Sequence, residues 1–259
     1  MLGLDVYTAV KTIGDAGIGY VELWGELPHA YPDWVDRKKL AEAMSSYDMT
    51  VSVHAPFTDL NPSTADQQLR SAIQKVLEGF VDFSASLGAV MVTVHPGSVH
   101  NERLVGGAAP SSIETIRKMI RRADGRLSIN IENQTRSSSK YYYPLGSSLD
   151  SLEALLAGAE GARCTLDTGH AHASGVDLEV LAGRLGSKTA EVHLSDNSGA
   201  SDDHLIPGEG TAPLKGFSAK VERDSLVCLE LNPHIYSAEE VLKGYARTKE
   251  ALEQVAPPN

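Results

Sequence analysis

The stretch GAVMVTVHPGS, Gly88 to Ser98, decides how the chain is read. A short apolar, β-branched run from Val90 closes on His95 and is broken at once by Pro96-Gly97. Such a run fits a strand buried on both faces, yet it ends in a side chain that is costly to bury unless paired. Upstream, VSVHAPF ends at His54 in the same way. Downstream, INIENQ ends at Glu132, TLDTGHAHASG supplies Asp167 and His170, EVHLSD supplies His193, and VCLELNP supplies Glu230. The loop after His193 adds Asp202 and His204.

Strands are predicted at 19–23, 50–54, 90–95, 127–132, 162–167, 190–194 and 226–231, with amphipathic stretches between them. The clearest, Asp66 to Leu87, places Leu69, Ile73, Leu77 and Phe80 at helical spacing and stops at Gly88. Ser112 to Ala123 sets Ile113, Ile116 and Ile120 on one face, and a last helix opens on Ser237-x-x-Glu240, a capping box. A strand every ~30–40 residues is the period of a βα unit. The expected fold is a TIM-type (β/α)₈ barrel forming one domain over residues 1–259. Only seven strands are visible, because the chain enters a helix at Asp5 to Gly14. The first barrel strand is therefore expected to be missing or abbreviated.

The 259 residues, 42% of them hydrophobic, suffice for one large core. No signal peptide or membrane span is visible, and Cys164 and Cys228 lie inside apolar runs, so a cytoplasmic protein with free thiols is expected. A net charge of -11 disfavours a generic polyanion binder, without excluding a local basic patch or a bound metal.

Barrel enzymes gather chemistry at the C-terminal ends of their strands. Six consecutive strands ending in His, Asp or Glu point to one shared mouth. A buried network without metal would need several shared protons, and a divalent ion satisfies the carboxylates more simply. Mixed His and carboxylate donors suit Zn²⁺ or Mn²⁺, whereas Mg²⁺ and Ca²⁺ prefer oxygen shells.

The pieces HAPF, HPGS, ENQ, LDTGHA, HLSDN and DDHLIPGEG together resemble the xylose-isomerase-like barrel superfamily, which includes sugar and sugar-phosphate isomerases and epimerases and endonuclease IV. The resemblance implies one catalytic metal held by Glu132, Asp167, His193 and Glu230. The endonuclease branch would use His54, His95, His170, Asp202 and His204 as well, giving one to three ions. Asp203, between two of these, is expected to face away.

Two activities follow from that resemblance. The first is a metal-dependent isomerase or epimerase of a sugar or sugar phosphate, in which Glu132 and Glu230 take and return a carbon-bound proton and the ion acts as a Lewis acid. The alternative is a zinc phosphodiesterase cutting DNA at abasic sites. Against the alternative stand a short loop between His193 and Asp202, Phe57-Thr58 in place of an aromatic-plus-leucine wedge, and few cations beyond Arg136 and Lys140 near the strand ends. A non-catalytic binding barrel is a third class, opposed by the presence of both glutamates. The small-molecule reading leads.

Softer signals surround the mouth. The loop RSSSKYYYPLGSS, Arg136 to Ser148, reads equally as a surface loop with packed tyrosines or as a lid whose Arg136 or Lys140 meets phosphate. Trp24, a candidate substrate contact, Glu26 and His29 follow the first strand and border the mouth. Glu22 reads either as facing the site or as a structural ion pair. His172 is expected to support the site or lie exposed, and Gly208-Glu209-Gly210 to make a tight turn.

Overall fold

The computed structural model describes residues 3–136, 139, 141–218 and 224–255. In chain order the elements are α1 (Val6–Asp15), β1 (Tyr20–Trp24), α2 (Arg37–Ser45), β2 (Thr50–His54), α3 (Gln67–Ser86), β3 (Met91–Val94), β4 (Ser98–Val99), α4 (Val105–Ala123), β5 (Ser128–Glu132), β6 (Tyr143–Pro144), α5 (Leu149–Gly158), β7 (Arg163–Asp167), α6 (Thr168–Ala173), α7 (Leu178–Leu185), β8 (Thr189–Leu194), α8 (Leu214–Ser218), β9 (Leu226–Leu229) and α9 (Ala238–Val255). Strands β1, β2, β3, β5, β7, β8 and β9 form one all-parallel sheet in that order. β4 and β6 pair separately as a two-residue antiparallel ladder above it.

The sheet curls into a nearly closed TIM-type barrel. Its two ends, β1 and β9, approach each other, but no ladder joins them among the described residues. That seam is where an eighth strand would sit, and the described chain leads into α1 through a turn at Gly3 and Leu4. Burial follows the sheet order. β3 and β8 are buried throughout, as a strand covered on both faces must be. β9, beside the seam, is only partly covered, and Val227 is 42% exposed.

The helices form where the apolar spacing places them. Asp66 caps α3 by accepting the Leu69 N–H, and Ile73, Leu77 and Phe80 bury the inner face. Leu69 itself, in the first turn, is 52% exposed, so the buried stripe begins one turn later than its spacing suggests. The helix predicted from Ser112 starts at Val105, because Gly106, Gly107 and Pro110 hide the first two turns from an apolar-period reading. The Ser237–Glu240 capping box closes reciprocally, with the Glu240 N–H donating to Ser237 Oγ and the Ser237 N–H to Glu240 Oε2.

The barrel interior is unusually polar below its mouth. Ser52, Thr93, Asn130, Thr165 and Glu191 are all fully buried there, where branched apolar residues dominate most barrels. Of the two thiols, Cys164 is buried, while Cys228, on the seam strand, is half-buried rather than enclosed as its apolar run suggests.

Candidate metal centre at the barrel mouth

Period-two alternation turns the last inward residue of each strand toward one point. Glu132 ends β5, Asp167 ends β7, His193 lies on β8 and Glu230 follows β9, in register with its neighbour through a Glu230 N–H to Leu194 carbonyl bond. Their donor atoms lie within 4.8 Å of one another, as do those of His54, His95 and Glu132, and of His170, Asp202 and His204. All nine residues expected at the mouth thus fall into three adjoining groups.

Glu132 links two of the groups. Its Oε2 lies 2.9 Å from His95 Nε2 and 3.2 Å from His54 Nε2, while Oε1 lies 3.2 Å from His193 Nδ1. Glu230 Oε2 reaches the same His193 Nδ1 at 2.8 Å. In the third group Asp202 Oδ2 stands 3.1 Å from His170 Nε2 and 3.3 Å from His204 Nε2.

The outer ring nitrogens show how these imidazoles are aimed. His54 Nδ1 meets the Ala55 carbonyl at 2.9 Å, His170 Nδ1 the Asn133 carbonyl at 2.8 Å, and His204 Nδ1 the Glu230 carbonyl at 3.1 Å. Each such bond makes Nδ1 a donor and turns Nε2 toward the carboxylates, where it carries a proton or offers its lone pair to an ion. Asn133 also clamps Asp167, donating to its carbonyl and accepting its N–H. His204 holds φ +49, a left-handed backbone uncommon outside glycine and often retained where a site needs it.

The electrostatics match a cage of opposed charges. Burial alone would raise Glu132, but His95 and His193 hold its carboxyl well below the ordinary range. Glu230, also opposed by burial, is drawn down to about 2 by His193. Asp167 goes the other way, raised to about 7 by burial that His170 only partly offsets. Burial lowers His95, whereas in His54 the neighbouring Glu132 overcomes burial and lifts the ring to about 9. His204 rises to about 10 beside Asp202 despite its burial.

Divalent metal fits this donor set. Asp167 Oδ2 and Asp202 Oδ1 are buried and accept no hydrogen bond among the described residues. A buried carboxylate oxygen without a donor is costly, and an ion within reach of three or four such groups would satisfy it.

The other expected residues fall as follows. Trp24 ends β1 in register with His54, and its ring lies against His29 with centroids 5.3 Å apart. Phe57 stacks on His95 at 4.4 Å and is 38% exposed at the mouth, held there by Glu26, which accepts the Phe57 and Thr58 N–H groups at 2.6 Å. Arg136 is exposed, its N–H donating to Ser174 Oγ, so nothing described orients its guanidinium toward the cluster. Lys140 lies outside the described residues. Tyr141 is 80% exposed, against the reading of that loop as packed tyrosines. His172 bonds Thr211 Oγ1 at 3.0 Å. Asp203 turns away to Ser198 and Ser201. Gly208 takes φ +91 in the expected turn, which Asp196 fastens from beneath by accepting the Gly208 and Ala212 N–H groups.

One buried carboxylate was not singled out by sequence. Glu191 sits fully buried beneath the site, accepting bonds from Tyr20, Ser52 at 3.1 Å, Thr93 at 2.8 Å and Thr165 at 3.4 Å. Its signal was available, because it shares a strand face with His193 two residues on. Glu26 was expected to border the mouth, but its tie to the Phe57–Thr58 turn gave no signal, since the two loops are far apart in sequence.

Comparison with known proteins agrees with this architecture. Residues 10–254 match the family described as Xylose isomerase-like TIM barrel. Fructoselysine 3-epimerase of Escherichia coli O157:H7 is 22% identical over 221 residues, covering 82% of this chain and 79% of the relative. A probable endonuclease 4 of Mycobacterium leprae is 25% identical over 199 residues, covering 73% of this chain and 75% of the relative. The crystal structure of a D-tagatose 3-epimerase-like protein superposes with a TM-score of 0.80 at 24% identity, covering 98% of both chains, which establishes a shared fold.

Proposed function

Because the chain belongs to the xylose isomerase-like TIM-barrel family, we propose that it is a divalent-metal-dependent isomerase or epimerase of a sugar or sugar phosphate. One observation carries the reading: two carboxylates, Glu132 and Glu230, flank a single point beside His193 Nδ1 and differ sharply in access to water. The Glu132 side chain is 1% exposed and that of Glu230 37%. An ion held by Glu132, Asp167, His193 and Glu230, Zn²⁺ or Mn²⁺ by donor type, would supply Lewis-acid polarisation of a carbonyl and its neighbouring hydroxyl.

The residues then divide the proton work. A base must begin anionic, and both glutamates are held in that form. Glu132, enclosed, takes a carbon-bound proton and keeps it from water. Glu230, at the open side, exchanges protons with solvent and delivers one to the opposite face. Acid–base transfer of this kind contributes ~10²–10⁴-fold. His170 and His204 stand where substrate hydroxyls would be oriented, with Trp24 and Phe57 walling the mouth. The domain extends over the whole chain in this reading, with Arg136 and Lys140 on a loop able to approach a phosphate. The test is solvent-deuterium exchange at carbon in a panel of ketoses and their phosphates, with added Mn²⁺ or Zn²⁺. Exchange is expected, and its absence across the panel would remove the proposal.

A second reading has a specific observation behind it. The three adjoining ligand groups suit a cluster of ions that activates water at a phosphodiester, as in a zinc enzyme cutting DNA at abasic sites. Incision of an abasic duplex by the same sample, without carbon exchange, would replace the first reading by the second.

A further inference from the structure

We propose that Glu22 is a positioning residue for the metal centre, fixing His193 so that its Nδ1 lone pair faces the ion. The inference rests on the metal-centre reading above and adds to it a residue outside the nine at the mouth. His193 differs from the other imidazoles of the cluster in what its outer nitrogen meets. His54, His170 and His204 each present a ring N–H to a main-chain carbonyl. His193 instead points Nδ1 at Glu230 and Glu132 and turns Nε2 toward Glu22, whose Oε2 lies 3.0 Å away.

Glu22 has little else to do there. Its side chain is 8% exposed, and its Oε1 has no hydrogen-bond partner among the described residues. Glu191 is the other nearby carboxylate, but its nearer oxygen stands 3.8 Å from Nε2, and both its oxygens are engaged by the four hydroxyls beneath the site. Glu22 is therefore the carboxylate nearest to Nε2, close enough to pair with an Nε2–H, although the 3.0 Å approach is not aligned as a hydrogen bond among the described residues. A carboxylate in that place selects the tautomer with Nε2 protonated and Nδ1 free, makes the ring more electron-rich, and holds its plane. β1 stands at the seam, paired in the sheet only with β2. Through Glu22 it contributes from one layer below.

The test uses the full chain, stripped of metal and titrated with Mn²⁺, Zn²⁺ or Co²⁺ against a chromophoric chelator. Glu22→Ala is expected to weaken the ion by roughly 10–100-fold, the usual cost of losing such a partner. Glu22→Gln, which keeps the volume and an acceptor oxygen but not the charge, is expected to fall between Ala and wild type. Both should shift the Co²⁺ ligand-field bands, which a packing role would leave in place. If Glu22→Ala fails to fold, Glu22→Gln alone decides. Wild type that binds an ion while Glu22→Gln matches it in affinity and spectrum overturns this inference. Wild type that takes up no ion overturns the metal reading beneath it.

Discussion

Glu132 and His193 meet at 3.2 Å, Oε1 to Nδ1, while the other oxygen of Glu132 faces His95 and His54. One carboxylate thus serves two ligand groups at once. Replacing it should damage more than replacing any residue that serves one group. Glu132→Gln is expected to lower both ion affinity and turnover, the latter by at least ~10². Glu230→Gln should cost turnover similarly while leaving the His54–His95 group intact. Metal analysis beside steady-state kinetics checks the pair, and a Glu132→Gln protein with wild-type ion content would contradict the sharing.

The group made by His170, Asp202 and His204 can be emptied separately. His204→Ala is expected to remove one ion per chain if the groups fill independently, leaving the ion beside Glu230 in place. Sugar turnover should then persist within an order of magnitude, and abasic-site incision, if present, should vanish. Ion counting by mass spectrometry reads the first outcome directly.

Ion binding should strengthen with pH. In the metal-free protein neighbouring carboxylates outweigh burial and raise His54 to about 9 and His204 to about 10. Raised histidine pKa values stabilise the metal-free fold fully below the ordinary 6.5 and lose that effect as pH rises through 9 to 10. An ion must displace those protons. The gap in Tm between loaded and chelator-treated protein is therefore expected to widen from about pH 6 to about pH 9. A gap that narrows would overturn the assignment of these rings as ligands.

Asp196 is buried beneath the loop that carries Asp202 and His204 and accepts the Gly208 and Ala212 N–H groups at 2.9 Å each. Asp196→Ala leaves those donors unpaired and should cost about 1–3 kcal/mol. The loss should concentrate in the loop. Chemical denaturation measures the first, and accelerated amide exchange over residues 205–212, with the barrel strands unchanged, measures the second.

Much of the barrel could be read from the chain. Each sheet strand lies within two residues of its predicted run, because a strand covered on both faces leaves an unbroken apolar signature. The nine strand-end and loop residues were legible because a polar side chain closing such a run needs a reason. What escaped is informative. Glu191 shares a strand face with His193, but the four hydroxyls that solvate it come from four other strands, β1, β2, β3 and β7, a partnership that only the folded barrel supplies. The first turns of α4 escaped because Gly106, Gly107 and Pro110 carry no apolar period. Cys228 is less enclosed than its strand suggested because β9 has one sheet neighbour instead of two.

That last asymmetry bears on how the cage opens. Glu132, Asp167 and His193 ride on strands held from both sides, whereas Glu230 follows the edge strand at the seam. Three corners of the cluster are braced by ladders on both sides, and the fourth by one ladder and the His204 Nδ1 bond to the Glu230 carbonyl. An ion bound there would enter and leave most readily at that fourth corner.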